Sequence, residues 1–106
     1  MDEAETIRRV QQGDAEAFRA VVLRYQGALF ALVRSYVRDE GRVEDLVQDA
    51  FLKAYAAFGR FDATRGRLAA WLYAIARNVC RDALRRRHRE PSGMPEGLPA
   101  APLPAA

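Results

Sequence analysis

Residues 43–58, VEDLVQDAFLKAYAAF, carry two different stripes on one helix. Val43, Leu46, Val47, Ala50, Phe51, Ala54 and Phe58 recur at three- and four-residue steps. That is the period of a helix with one face turned to a core. The spacing predicts a helix from about Arg42 to Phe58, with Gly59 as its C-terminal stop. Asp45, Gln48, Asp49, Leu52 and Ala56 form a second stripe, at i, i+3, i+4, i+7 and i+11 on the opposite side. A mixed polar and aliphatic stripe suits docking on another protein, where charge orients and the aliphatic group buries area. The alternative is a solvated helix face with one stray leucine, which is common.

Working outward, the upstream sequence divides into two further helices. The first, roughly 3–12, is short and acidic, and Gly13 stops it. Asp14 is then a good N-cap, because its carboxylate can accept orphan backbone N–H groups. Behind it Phe18, Val21, Val22, Tyr25, Leu29, Leu32, Val33 and Tyr36 make one apolar stripe, and Gly41 is expected to end that helix. Downstream, a loop over 60–66 leads to a fourth helix from about Arg67 to Arg89, with Leu68, Leu72, Ile75, Val79 and Ala83 on its inner face. No segment alternates with period two over strand length. The expectation is an all-α fold, a compact bundle of about four helices over residues 1–90. All five prolines fall between Pro91 and Pro104. Proline clashes within helices, so residues 91–106 are expected to be a disordered Pro/Ala-rich linker.

The net charge is only +3, but it is unevenly spread. Residues 1–59 balance at −2, residues 60–89 at +7 and residues 90–106 at −2. The middle segment holds nine arginines against Asp62 and Asp82, the footprint of a polyanion-binding face. Arginine also suits a solvated helix C-terminus. Of the 17 basic residues all but Lys53 are arginine, a skew that a GC-rich genome produces without any functional cause.

Other classes find little support. No apolar run is long enough to cross a membrane. The acidic start, Met1-Asp2-Glu3-Ala4-Glu5, is unlike a signal peptide. Cys80 and His88 are the only residues of their kinds, so no disulfide or Cys/His zinc set can be assembled. Neither a metal nor a cofactor is expected, and a reducing, cytoplasmic setting fits. Cys80 lies beside the inner face of the fourth helix, where a small buried hydrophobe is commoner than a nucleophile. No Gly-rich phosphate loop, HExxH or CxxC is present, and an enzyme is not expected.

On the fourth helix Arg77, Asn78, Arg81 and Arg85 lie at i, i+1, i+4 and i+8, extended by Arg86, Arg87 and Arg89. Arginine pairs with phosphate or a guanine edge, and asparagine with an adenine edge. Trp71 and Tyr73 sit near the start of this helix; each reads either as a platform for an unpaired base or as a half-buried core residue. In the preceding loop Asp62 and Thr64 offer short polar groups and Arg60, Arg65 and Arg67 offer cations, with Phe61 among them. Such a loop can grip a flipped base through its Watson–Crick edge, although Asp, Thr and Gly together usually make only a turn.

Three blocks then combine: Gly13-Asp14-Ala15-Glu16-Ala17-Phe18 leading to Arg24-Tyr25-Gln26, the stretch Glu44 to Tyr55, and Phe61-Asp62 followed by AWLYAIARN at 70–78. In order and spacing they resemble region 2 of the extracytoplasmic-function (ECF) sigma factors, over residues 5 to about 89. The resemblance implies that the helix carrying residues 43–55 docks on the clamp helices of the RNA polymerase β′ subunit. Asp45, Gln48, Asp49 and Leu52 fall on that surface, bordered by Lys53. It implies that the loop at 60–67 captures a non-template base flipped from the promoter −10 element. The next helix would contact the −10 duplex edge and backbone, with Arg77, Asn78, Arg81 and Arg85 as candidates. An anti-sigma protein is the usual inhibitor in this family.

Members of that family continue into a second helical domain that reads the −35 element, whereas this chain stops at Ala106 within the Pro/Ala-rich segment. The expectation is a piece cut from a longer protein. Two other readings stand beside the promoter-opening one. A sigma-like interaction module could occupy an anti-sigma protein without initiating transcription, but it needs no arginine face. An unrelated helix-turn-helix regulator predicts a tight turn where this sequence has a seven-residue loop.

Overall fold

The computed structural model describes residues 2–89, with side chains to Arg87. The expected linker at 91–106 lies outside the described residues. The elements are α1 (Glu3–Gln11), α2 (Ala15–Arg34), α3 (Glu40–Ala57), a 3₁₀ turn (Phe58–Arg60) and α4 (Leu68–Arg89), an all-α bundle. None of these helices is long and apolar enough to cross a membrane.

Three helices start on an aspartate. Asp2 Oδ1 accepts from Glu5 N at 2.8 Å, Asp14 Oδ1 from Ala17 N at 3.2 Å and Asp39 Oδ1 from Gly41 N at 2.9 Å. Each carboxylate satisfies an N–H that the first turn leaves without a partner and faces the positive end of the helix dipole. The Asp14 cap agrees with the sequence. The turn before it needs glycine: Gly13 has φ +97°, and Gly13 N and Asp14 N close α1 onto Val10 O and Arg9 O.

The other two glycine stops do not form. α2 ends at Arg34, where the Ser35 hydroxyl donates to Leu32 O at 2.6 Å and Val37 is driven into the core. Gly41 instead lies in the first turn of α3, because Asp39 is the stronger helix starter. Gly59 sits inside the 3₁₀ turn, and Phe58, which caps α3, is buried. Burying that ring carries the chain straight on from α3 with no left-handed residue.

The α3 stripe is buried throughout. On α4 the inward face is Leu68, Leu72, Ala76, Val79, Cys80 and Ala83, while Ile75 is only half-buried. α3 and α4 pack on each other, and α2 packs on α1, α3 and α4. At one end Phe58 is the centre of an aromatic cluster. Its ring meets Phe18, Phe61 and Trp71 with centroids 5.8, 6.0 and 5.5 Å apart. The Phe18 and Trp71 contacts are near-perpendicular, the edge-to-face arrangement aromatic quadrupoles favour.

Candidate protein-docking and nucleic-acid surfaces

The two stripes of α3 fall on opposite sides. Asp45, Gln48, Lys53 and Ala56 are exposed and Asp49 is half-buried. Leu52 is 68% exposed, far more than the core residues beside it. Lys53 Nζ lies 3.5 Å from Asp49 Oδ1 one turn back. That pair is surface-exposed and contributes little to stability. Tyr55 is 45% exposed while its ring tilts against Phe18 at 5.0 Å. It adds aromatic area beside Leu52 that the sequence reading did not single out. Leu23, on the outer side of α2, was missed as well and is 59% exposed.

The loop between the 3₁₀ turn and α4 is held at both ends by buried residues. Phe61 packs on Phe58 and on Trp71, the latter with ring centroids 5.1 Å apart. Leu68 is buried at the first residue of α4. Between them Asp62, Thr64, Arg65 and Arg67 are exposed. Thr64 donates to Asp62 Oδ1 twice, from its backbone N at 3.0 Å and its hydroxyl at 2.7 Å. Arg65 N donates to Asp62 O at 3.0 Å. This is an aspartate-initiated turn that needs no partner to form. The Thr64 hydroxyl and then its N–H hold the Asp62 carboxyl below the ordinary aspartate range, so it is an acceptor at neutral pH.

An open cleft of about 360 Å³ lies against this loop, lined by Arg60, Phe61, Asp62, Arg65, Gly66, Arg67, Ala70 and Trp71. It joins two aromatic rings, one carboxylate and three guanidinium groups. Such a set can stack a planar ring, accept from its edge and neutralise a phosphate beside it. Phe61 therefore enters as a buried wall and not as an exposed side chain. Trp71 is half-buried: its ring packs on Phe58 and Phe61 and also lines the cleft. Tyr73 is half-buried and is not part of the cleft lining.

Along α4, Asn78, Arg81 and Arg85 are exposed and Arg77 is half-buried. Arg85 pairs with Asp82 one turn back. Among the described residues no ion pair involves Arg60, Arg65, Arg67, Arg77 or Arg81. A second groove of about 350 Å³ runs between α3 and α4, with Lys53, Ala56, Arg60, Ile75, Asn78 and Asp82 in its lining.

One structural contact had no signal in the sequence. The Gln11 side chain, at the end of α1, donates to Phe58 O at 3.1 Å and to Phe61 O at 2.8 Å. Cys80 is buried, and burial pushes its thiol up to about 11, so it stays protonated and inert. No metal-binding cluster of His, Cys, Asp and Glu occurs among the described residues.

The Sigma-70 region 2 family model matches residues 21–90. The ECF RNA polymerase sigma-E factor of Escherichia coli K12 is 45% identical over 87 residues, which span 80% of this chain and 44% of that protein. The chain thus spans less than half the length of this curated relative. Among solved structures, an engineered region 2 of sigmaE in complex with GTAAAA superposes with a TM-score of 0.74 at 42% identity, covering 84% of this chain and 96% of that one. CnrH in complex with the cytosolic domain of CnrY superposes with a TM-score of 0.67 at 36% identity, covering 73% of this chain and 49% of that one.

Proposed function

This chain belongs to the Sigma-70 region 2 family, and from that premise we propose that it is the −10 recognition and melting domain of an RNA polymerase sigma factor. On this reading α3 docks on the clamp helices of the polymerase β′ subunit through Asp45, Gln48, Asp49 and Leu52, with Lys53 at the border. The basic face of α4 holds the duplex edge through Arg77, Asn78, Arg81 and Arg85. The cleft takes a non-template base out of the stack.

One observation carries the reading: an aromatic-walled cleft and a loop of unpaired arginines adjoin the basic face of α4. A duplex-only binder needs the basic face but no such cleft. The related engineered region 2 of sigmaE is held in a complex with a short oligonucleotide, GTAAAA, which supports a nucleotide as the occupant here. Energies are consistent. Taking a base out of the stack costs a few kcal/mol, and stacking on an aromatic ring returns about 1–3 kcal/mol. Hydrogen bonds and the arginine charges supply the remainder. Melting is thus coupled to capture: the duplex breathes, and the cleft holds the base that leaves it.

The test is binding of the chain to the isolated β′ clamp helices. Wild type should bind, and a Gln48→Ala/Asp49→Lys double variant should not. A well-folded wild-type chain that fails to bind would refute the docking role. CnrH, a structural neighbour, is held by the cytosolic domain of another protein. That observation favours control of this chain by an anti-sigma partner. It also keeps a second reading in view, a module that only occupies such a partner. Binding to an anti-sigma protein but not to the clamp helices would select it.

A further inference from the structure

We propose that Gln11 is a positioning residue for the base-capturing loop, setting its root from the end of α1; this rests on the reading of the cleft given above. Gln11 Nε2 donates to two backbone carbonyls, those of Phe58 and Phe61, which lie 47 and 50 residues further along the chain. These carbonyls stand at the two ends of one tight turn, which Phe61 N closes by donating to Phe58 O at 3.1 Å. Only the NH₂ end of an amide can serve two acceptors at once, one hydrogen to each. The side chain therefore clips both ends of the turn to α1.

What lies beyond the turn gives the clip its significance. Arg60 and Phe61 line the cleft, and the next residue, Asp62, begins the aspartate turn that shapes the rest of the loop. A rotation of the Phe61 peptide would swing Asp62, Thr64 and Arg65 together, since they are bonded to one another. Gln11 is itself well placed. It is the last residue of α1, and the left-handed Gly13 closes the helix immediately after it. α1 thus has a specific use beyond covering α2: it fixes the angle at which the loop leaves the core.

Trp71 is the only tryptophan and lines the cleft, so its fluorescence reports the occupant directly. The probe is a set of single-stranded hexanucleotides that includes GTAAAA, titrated into the full chain well below its melting temperature. Gln11→Glu is isosteric but presents acceptors to two carbonyls. It should weaken binding about tenfold, the scale expected when two hydrogen bonds are lost. Gln11→Lys keeps donors, though one bond further from the backbone, and should recover to within about threefold of wild type. Clamp-helix binding, read on the opposite face of α3, should be unchanged in both. Wild-type affinity in Gln11→Glu, equal losses in the two variants, or a parallel loss of clamp-helix binding would each overturn the proposal. If no hexanucleotide affects Trp71 in the wild-type chain, the cleft reading itself fails and the role of Gln11 falls with it.

Discussion

Arg81 and Arg85 lie one turn apart on α4 and look equivalent in sequence, yet their surroundings predict different salt behaviour. Both are exposed, but Arg85 pairs with Asp82 whereas Arg81 has no ion pair among the described residues. An arginine that neutralises a phosphate releases a counterion, and each such contact adds about 0.9 to the slope of log affinity against log salt on duplex DNA. Arg81→Gln should therefore reduce the slope by about 0.9. Over the fourfold range from about 50 to about 200 mM salt, that makes the loss of affinity about 3.5-fold smaller than in wild type. Arg85 is already partly neutralised, so Arg85→Gln should change the slope by clearly less. Asp82→Asn should steepen it by freeing Arg85. The assay is fluorescence anisotropy of a labelled promoter duplex at several salt concentrations. Equal slope changes for Arg81→Gln and Arg85→Gln would refute the reasoning, as would an unchanged slope in Arg81→Gln.

Three further outcomes are expected. A variant with Thr64, Arg65 and Arg67 all replaced by alanine should keep clamp-helix binding but leave promoter DNA closed in permanganate footprints of the assembled polymerase; retained opening would sink the base-capture role. Phe58→Ala removes the fully buried ring on which Phe18, Phe61 and Trp71 converge, and should cost about 3–5 kcal/mol in denaturant unfolding. A loss under about 1 kcal/mol would mean that the cluster contributes little. The Cys80 thiol, raised to about 11 from an ordinary value near 9, is protonated in both folded and unfolded chains below about pH 9. Above that the unfolded thiol ionises first, so its contribution to stability should fade between pH 9 and about 11. Cys80→Ser should flatten that part of the pH profile, and an unaltered profile would show that the thiol is not its cause.

What the sequence disclosed and what it withheld follow from the range of the interactions. The α3 stripe, the Asp14 cap and the cluster of arginines are local patterns, and the structure keeps them. Glycine as punctuation failed twice, at Gly41 and Gly59, because a capping aspartate and a buried phenylalanine decided those boundaries. Ile75 was assigned inward by its spacing from Leu72 and Val79. The packed helix is turned so that Ala76 and Cys80 take the centre. Rotation about a helix axis depends on the neighbouring helices, which one segment does not reveal. Phe61 is placed in the loop by the sequence, and its burial there depends on Phe58 and Trp71 meeting it. The clip by Gln11 joins groups 47 and 50 residues apart, and a lone glutamine at a helix end gives no hint of it.

The buried faces of α3 and α4 are rich in small side chains: Ala50 and Ala54 on one, Ala76, Cys80 and Ala83 on the other. Small residues let helix axes approach to the short end of the usual 8–10 Å range. If α3 holds the polymerase and α4 holds the promoter, this packing acts as a caliper between two machines that never touch through it. Its setting is fixed by side-chain volume in the interior. Replacing Ala54 or Ala76 with a larger residue would reset the gap without changing the identity of any contacting side chain. The position at which the strands part, relative to the enzyme, is on this view a dimension machined into the core.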